Sequence, residues 1–92
     1  MKAVRINRDL LRQIRGMPAT DRRKIGGRIA DAQRTIGQPH LHKGLGLRKL
    51  QDTFYEIRVG LKDRLVFENL ADELVFEFLG DHDRVKRFLK SR

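Results

Sequence analysis

The sequence predicts an α+β fold: β-α-α-β-β-β followed by a short C-terminal helix, with a helical hairpin packed on one face of a small, mostly antiparallel sheet. Three observations predict it. Apolar residues recur at helical spacing between residues 7 and 37, as in Leu10, Leu11, Ile14 and Met17. From Arg48 onward the pattern switches to strict alternation, as in Tyr55, Ile57 and Val59 against Phe54, Glu56 and Arg58. The charge divides at the same place: residues 1–50 hold 13 Lys/Arg and 3 Asp/Glu, whereas residues 51–92 hold 8 and 9.

The first strand is short, with Val4 and Ile6 alternating with Ala3 and Arg5. Asn7 can cap the first helix, and Asp9 falls in its first turn, where a negative charge complements the helix dipole. Gly16 and Pro18 break that helix. Thr20 or Asp21 can cap the second, whose apolar stripe is Ile25, Ile29, Ala32 and Ile36. Gly26 and Gly27 each cost about 1 kcal/mol there against Ala, and close approach of another backbone would explain them. Gly37 and Pro39 end the helix, and residues 38–47 read as a Gly-rich connection.

Three strands follow. In the second of them Leu65 and Phe67 point one way and Arg64, Val66 and Glu68 the other; in the third Leu74, Phe76 and Phe78 oppose Val75, Glu77 and Leu79. Each strand thus has an apolar face, which the helical hairpin covers, and a mixed charged face left open to solvent. Arg58 and Arg64 fall on the charged face by parity. A last helix, about Asp83 to Ser91, carries Val85, Phe88 and Leu89 on its apolar side.

Ninety-two residues make one domain with a small core. With no cysteine, disulfides and thiolate metal sites are excluded. No segment approaches the roughly 20 apolar residues of a membrane span, and the start, MKAVRINRD, lacks the apolar stretch of a secretory signal. A cytoplasmic protein with no membrane partner is the expectation. The net charge of +9, concentrated in the first half, favours a polyanionic partner such as nucleic acid or the ribosome over a merely solvated helix surface. An acidic protein would satisfy the same charge.

Three segments together resemble the RelE/ParE superfamily of bacterial toxin–antitoxin modules. They are Leu47-Arg48-Lys49-Leu50 ahead of a strand; Tyr55-Glu56-Ile57-Arg58-Val59-Gly60 with Asp63-Arg64-Leu65-Val66-Phe67; and Gly80-Asp81-His82-Asp83 with Val85 and Phe88-Leu89. The second is similar to the family's paired Y-x-I-R-x-G and Y-R-L-V-Y strands, the third to its closing G-x-[RH]-[DE]-x-V-Y run. The resemblance implies a RelE-like fold and one of two activities. RelE-like members are ribosome-dependent endoribonucleases that cut messenger RNA; ParE-like members inhibit DNA gyrase. In both, an antitoxin wraps and neutralises the toxin, here expected to be acidic. A catalytically weakened relative that acts through its antitoxin complex is a third reading.

By position the resemblance assigns Arg58 and Arg64 as cations of the site and His82 as the residue after the last strand. Two positions depart from RelE: Phe88 stands where it carries a tyrosine and Glu56 where it carries a lysine. Phe88 has no proton to exchange. Glu56 is either a general base or an ion-pair partner of Arg58 or Arg64.

Cleavage of RNA by transesterification needs a base for the 2′-hydroxyl, cations for the phosphorane and an acid for the leaving 5′-oxygen. An imidazole serves as acid or base near neutral pH. The expected catalytic set is therefore Arg58, Arg64, His82 and Glu56, with no cofactor. Arg48 and Lys49 would hold flanking phosphates, and Phe54 or Phe88 would stack on a base. Arg22, Arg23, Lys24 and Arg28, with Arg12, Arg15 and Arg34, would bind ribosomal RNA. The competing structural account makes Arg58 and Arg64 rungs of a charge ladder with Glu56, Glu68 or Glu77. His40 and His42 are two apart without nearby carboxylates, so they read as loop residues rather than metal ligands.

Overall fold

Asn7 ends the first strand and starts the first helix in one residue. The computed structural model describes residues 1–92, and in it the Asn7 side chain accepts a hydrogen bond from the Asp9 backbone N–H. On either side lie β1 (Ala3–Ile6) and α1 (Arg8–Arg15), followed by α2 (Ala19–Thr35). The chain continues through α3 (Pro39–Leu45), β2 (Leu47–Gln51), β3 (Phe54–Val59), β4 (Asp63–Asn69), β5 (Glu73–Gly80) and α4 (His82–Lys90). The sheet order is β1-β5-β4-β3-β2. Only β1 and β5 pair in parallel; the other neighbours are antiparallel. The mixed sheet with its helical hairpin agrees with the predicted α+β class.

Three features of the chain differ from the sequence reading. The connection at 38–47 is mostly helix: Pro39 occupies the first turn, where its missing N–H costs nothing, and Gly46 closes α3 in the left-handed conformation at φ 66°. A fifth strand, β2, follows at once and pairs with β3. The four-strand expectation fails here because β2 is short and bears charges on both faces, which blurs its alternation. The N-cap of α2 is Pro18, so Thr20 and Asp21 lie inside the helix, and Ile36 sits just beyond its end.

The main core lies between the hairpin and the sheet. Leu10, Ile25 and Ala32 from the helices meet Leu47, Ile57, Leu65, Phe67, Leu74, Phe76 and Leu79 from the sheet. Phe67 and Phe76 meet at its centre, with ring centroids 4.9 Å apart. Burial of this kind contributes roughly 25 cal/mol per Å² of apolar surface and holds the hairpin to the sheet. No backbone approaches Gly26 or Gly27: a Cβ on either would meet nothing within 4 Å. Close backbone approach therefore does not account for these glycines, and nothing in the structure explains them.

A bulge in β5 corrects the facing of two residues. Val66 pairs with Phe78 but Phe67 pairs with Phe76, so Glu77 is the extra residue. An added residue reverses the parity of everything after it. Leu79 therefore joins the main core, and Phe78 turns to the opposite face. There Phe78 meets a second cluster of Phe54, Val66 and Val85 with Leu50, Phe88 and Leu89. The second sheet face is thus not wholly open. α4 covers part of it, and the uncovered remainder forms a cleft.

Candidate active site

A row of four residues crosses the sheet: Gly46, Arg58, Arg64 and Gly80. The Arg58 N–H donates to the Gly46 carbonyl at 3.2 Å, Arg58 is the register partner of Arg64, and Arg64 that of Gly80. Two arginines therefore stand opposite each other between two glycines. His82 lies two residues past Gly80, at the start of α4, whose N-cap is Asp81; the Asp81 carboxylate accepts from the Arg84 N–H at 2.9 Å. The cap fixes the angle at which α4 leaves the sheet and so the position of His82.

Gly46, Arg58, Arg64 and His82 line one cleft of about 490 Å³ with Glu56, Arg48, Leu47, Pro39, His42 and Lys43. Four cations (Lys43, Arg48, Arg58 and Arg64) surround a single carboxylate, a balance suited to an anionic ligand. Arg58 is exposed and has no acidic partner. Arg64 has only 19% of its side chain exposed; its Nε lies 3.3 Å from Glu56 Oε2, outside hydrogen-bonding geometry, and its Nε and Nη1 are buried without a hydrogen-bond partner. A buried unpaired guanidinium nitrogen is costly unless a ligand accepts from it.

Glu56 is 4% exposed. Its Oε2 accepts from Arg48 Nε at 3.0 Å as well as facing Arg64. The charge-ladder expectation therefore holds for Arg64 and not for Arg58. Glu68 instead accepts from Thr53 at 2.8 Å, and Glu77 accepts from Asn7 at 3.3 Å.

Not every expected site residue reaches the cleft. Lys49 pairs with Tyr55, which packs against the main core, so Lys49 stands on the helix side, away from Arg48. Phe88 is packed between Phe78, stacked at 4.9 Å, and Phe54, edge-on at 6.0 Å. Phe54 is buried. Neither ring lines the cleft, because both are consumed by the cluster under α4. Arg22, Arg23, Lys24 and Arg28 belong to α2, across the sheet from the cleft. Arg22 donates to the Met17 carbonyl at 2.7 Å, and Arg28 pairs with Asp31 at 3.0 Å. They form a separate basic surface.

One wall of the cleft, made by α3, is absent from the sequence reading. Lys43 and His42 come from this helix, and His42 Nε2 donates to the Thr35 carbonyl at 2.9 Å, which ties the wall to α2. A signal for it exists: Pro39 and Gly46 bracket a single short helix, the usual arrangement at its two ends. His40 is exposed on the same helix and does not line the cleft.

No family model matches the sequence, and no curated protein sequence matches it. Solved structures do match. The archaeal RelE–RelB complex from Pyrococcus horikoshii OT3 superposes with a TM-score of 0.67 at 16% identity, over 90% of this chain and 97% of that one. The chain has the RelE-like toxin fold. The RelB–RelE antitoxin–toxin complex from Methanococcus jannaschii gives 0.64 at 19% identity, over 91% and 96%. The YoeB/ParE toxin from Agrobacterium tumefaciens gives 0.65 at 21% identity, over 89% and 99%. The sheet of this RelE-like fold carries a carboxylate at Glu56 and two facing arginines, Arg58 and Arg64. No helix is long and apolar enough to cross a membrane.

Proposed function

We propose that this chain is the toxin of a type II toxin–antitoxin pair, an endoribonuclease that cuts messenger RNA on the ribosome and stops translation. The observation that carries the reading is the register pairing of Arg58 with Arg64 in a cleft that also holds His82. Like charges placed directly opposite each other destabilise a sheet. A phosphate between them would reverse that cost and accept from the unpartnered Arg64 nitrogens.

In this reading the 2′-hydroxyl attacks the adjacent phosphorus and the P–O5′ bond breaks. The products are a 2′,3′-cyclic phosphate and a free 5′-hydroxyl. One proton leaves the 2′-oxygen and one arrives at the 5′-oxygen, and His82 carries one of these transfers. Arg58 and Arg64 stabilise the charge that builds on the phosphorane oxygens. Arg48 and Lys43 hold the flanking backbone. The arginines supply the positive charge that the phosphorane requires.

The partner in this reading is an acidic antitoxin, since solved structures of similar fold include toxins in complex with antitoxins. Its acidic residues would meet the cleft and the basic helices of a chain whose net charge is +9. Pulse labelling after controlled induction in bacteria tests the reading. Early loss of amino-acid incorporation, with new 5′-hydroxyl ends in ribosome-bound message, is the expected result. Early loss of thymidine incorporation with translation intact would replace it with a gyrase-directed inhibitor.

A further inference from the structure

The geometry points to Glu56 as a positioning residue that orders the phosphate-binding arginines before substrate arrives. This inference rests on the reading of the cleft as an RNA-phosphate site. Glu56 and Arg48 are register partners on adjacent strands, and Arg64 reaches the same carboxylate diagonally from β4. The single oxygen Oε2 faces both guanidinium groups, at 3.0 Å from Arg48 Nε and 3.3 Å from Arg64 Nε. Arg48 Nε is thus held by a hydrogen bond to the carboxylate, and Arg64 Nε lies beside it by charge alone, without a hydrogen bond. Arg64 Nη1 is buried with no protein partner at all.

A direct role in proton transfer fits this arrangement poorly. A general base must come within hydrogen-bonding reach of the hydroxyl it deprotonates. Glu56 is 4% exposed and its Oε2 already faces two guanidinium groups, so only Oε1 is left for a hydroxyl to reach. A carboxylate in a cleft that attracts phosphate also weakens that attraction. What offsets this is order: Arg48 and Arg64 are long side chains, and the carboxylate restrains them in advance of binding, Arg48 by a hydrogen bond and the largely buried Arg64 by charge. Glu56 leaves Arg58 untethered, so the site combines two held cations with one that can close on the bound phosphate.

The test compares wild type with Glu56→Gln, which keeps the shape of the side chain and one carbonyl acceptor. Three readouts are taken. The first is the mobility of the Arg48 and Arg64 Nε–H groups, followed by nitrogen-15 relaxation in the free protein. The second is affinity for a 2′-O-methyl RNA oligonucleotide, which cannot be cleaved. The third is the pH profile of cleavage of ribosome-bound message. The inference expects rigid Nε–H groups in wild type that become mobile in the variant. It also expects weaker oligonucleotide binding and a rate lower by about 10²-fold, with the pH profile unchanged in shape. Mobile Nε–H groups in wild type, or equal binding and cleavage by the two proteins, would overturn the inference and leave the cleft reading intact. Loss of one limb of the pH profile in the variant would overturn it in favour of a general base. Failure of the wild type to bind the oligonucleotide would overturn the cleft reading and this inference together.

Discussion

Arg58 and Arg64 face each other across β3 and β4, and the one nearby carboxylate, Glu56, meets Arg48 and Arg64 but not Arg58. Such a pair lowers stability by roughly 0.2–1 kcal/mol compared with a neutral pair. Arg58→Thr removes the repulsion and keeps a residue suited to a strand. It should raise the urea midpoint slightly while reducing ribosome-dependent cleavage by about 10²-fold. The opposite signs matter, because a purely structural arginine would not be expected to cost activity when its removal stabilises the fold. Unchanged cleavage in a stabilised variant would remove Arg58 from the site.

His82 is exposed at the first position of α4 and belongs to neither apolar cluster. Replacing it by Ala should leave the stability within about 0.5 kcal/mol of wild type. Cleavage should fall by roughly 10²–10⁴-fold if the imidazole moves a proton. Mapping of 5′-hydroxyl ends on ribosome-bound message measures the loss directly. A rate equal to that of wild type would transfer the proton step to another group.

Gly46 is required by two independent constraints. Its φ of 66° is left-handed, and a Cβ built on it would lie 2.8 Å from the Arg58 Cβ, closer than such atoms approach. Gly46→Ala should therefore cost about 2 kcal/mol, roughly half from backbone strain and the rest from the shift that relieves the clash. Because the clash is with Arg58, cleavage should drop by more than the stability loss explains at temperatures where the variant is fully folded. Thermal denaturation and cleavage assayed together separate the two effects. If activity is retained, α3 gives way instead of β3.

The order of the strands from Phe54 onward is legible in the sequence because alternation is a local signal, and the core faces of β3 and β4 follow from parity. Arg58, Arg64 and Glu56 share one face by the same rule. What the sequence hides has local causes as well. One inserted residue, Glu77, reverses the facing of Phe78 and Leu79, and no periodicity reveals a bulge in advance. That reversal creates the second cluster, draws Phe88 into it and removes both Phe54 and Phe88 as base-stacking platforms. Lys49 parts from Arg48 because the two are neighbours in a strand, β2, whose charges on both faces conceal its alternation. The α3 wall is hard to see because a seven-residue helix holding a glycine at position 44 has too little periodicity to announce itself.

The cluster under α4 predicts a role for Phe88 unlike that of a tyrosine at the reaction centre. The ring is stacked on Phe78 and meets the edge of Phe54, so it contributes to holding α4 on the sheet. Phe88→Tyr should leave cleavage within about 2-fold, since the ring does not line the cleft and changes away from a site rarely exceed about 0.5 kcal/mol. Phe88→Leu should destabilise by about 1–2 kcal/mol through lost aromatic packing. A large gain in cleavage from Phe88→Tyr would show that α4 moves to bring residue 88 into the cleft when the ribosome binds.

Gly26 and Gly27 are exposed in the middle of α2, and a methyl group added at either would have no neighbour within 4 Å. In isolation each substitution to Ala should therefore stabilise the protein by about 1 kcal/mol, through the lower entropy of the unfolded chain and better helix propensity. The same segment carries Arg22, Arg23, Lys24 and Arg28, so the pair lies on the basic helix proposed to meet ribosomal RNA. The two roles separate in one experiment on Gly26→Ala and Gly27→Ala. Stabilisation with unchanged ribosome binding makes the glycines dispensable. Stabilisation with weaker ribosome binding, and with cleft residues intact, makes α2 the face that meets ribosomal RNA, and Arg23→Glu should then flatten the salt dependence of that binding by about one unit of log–log slope.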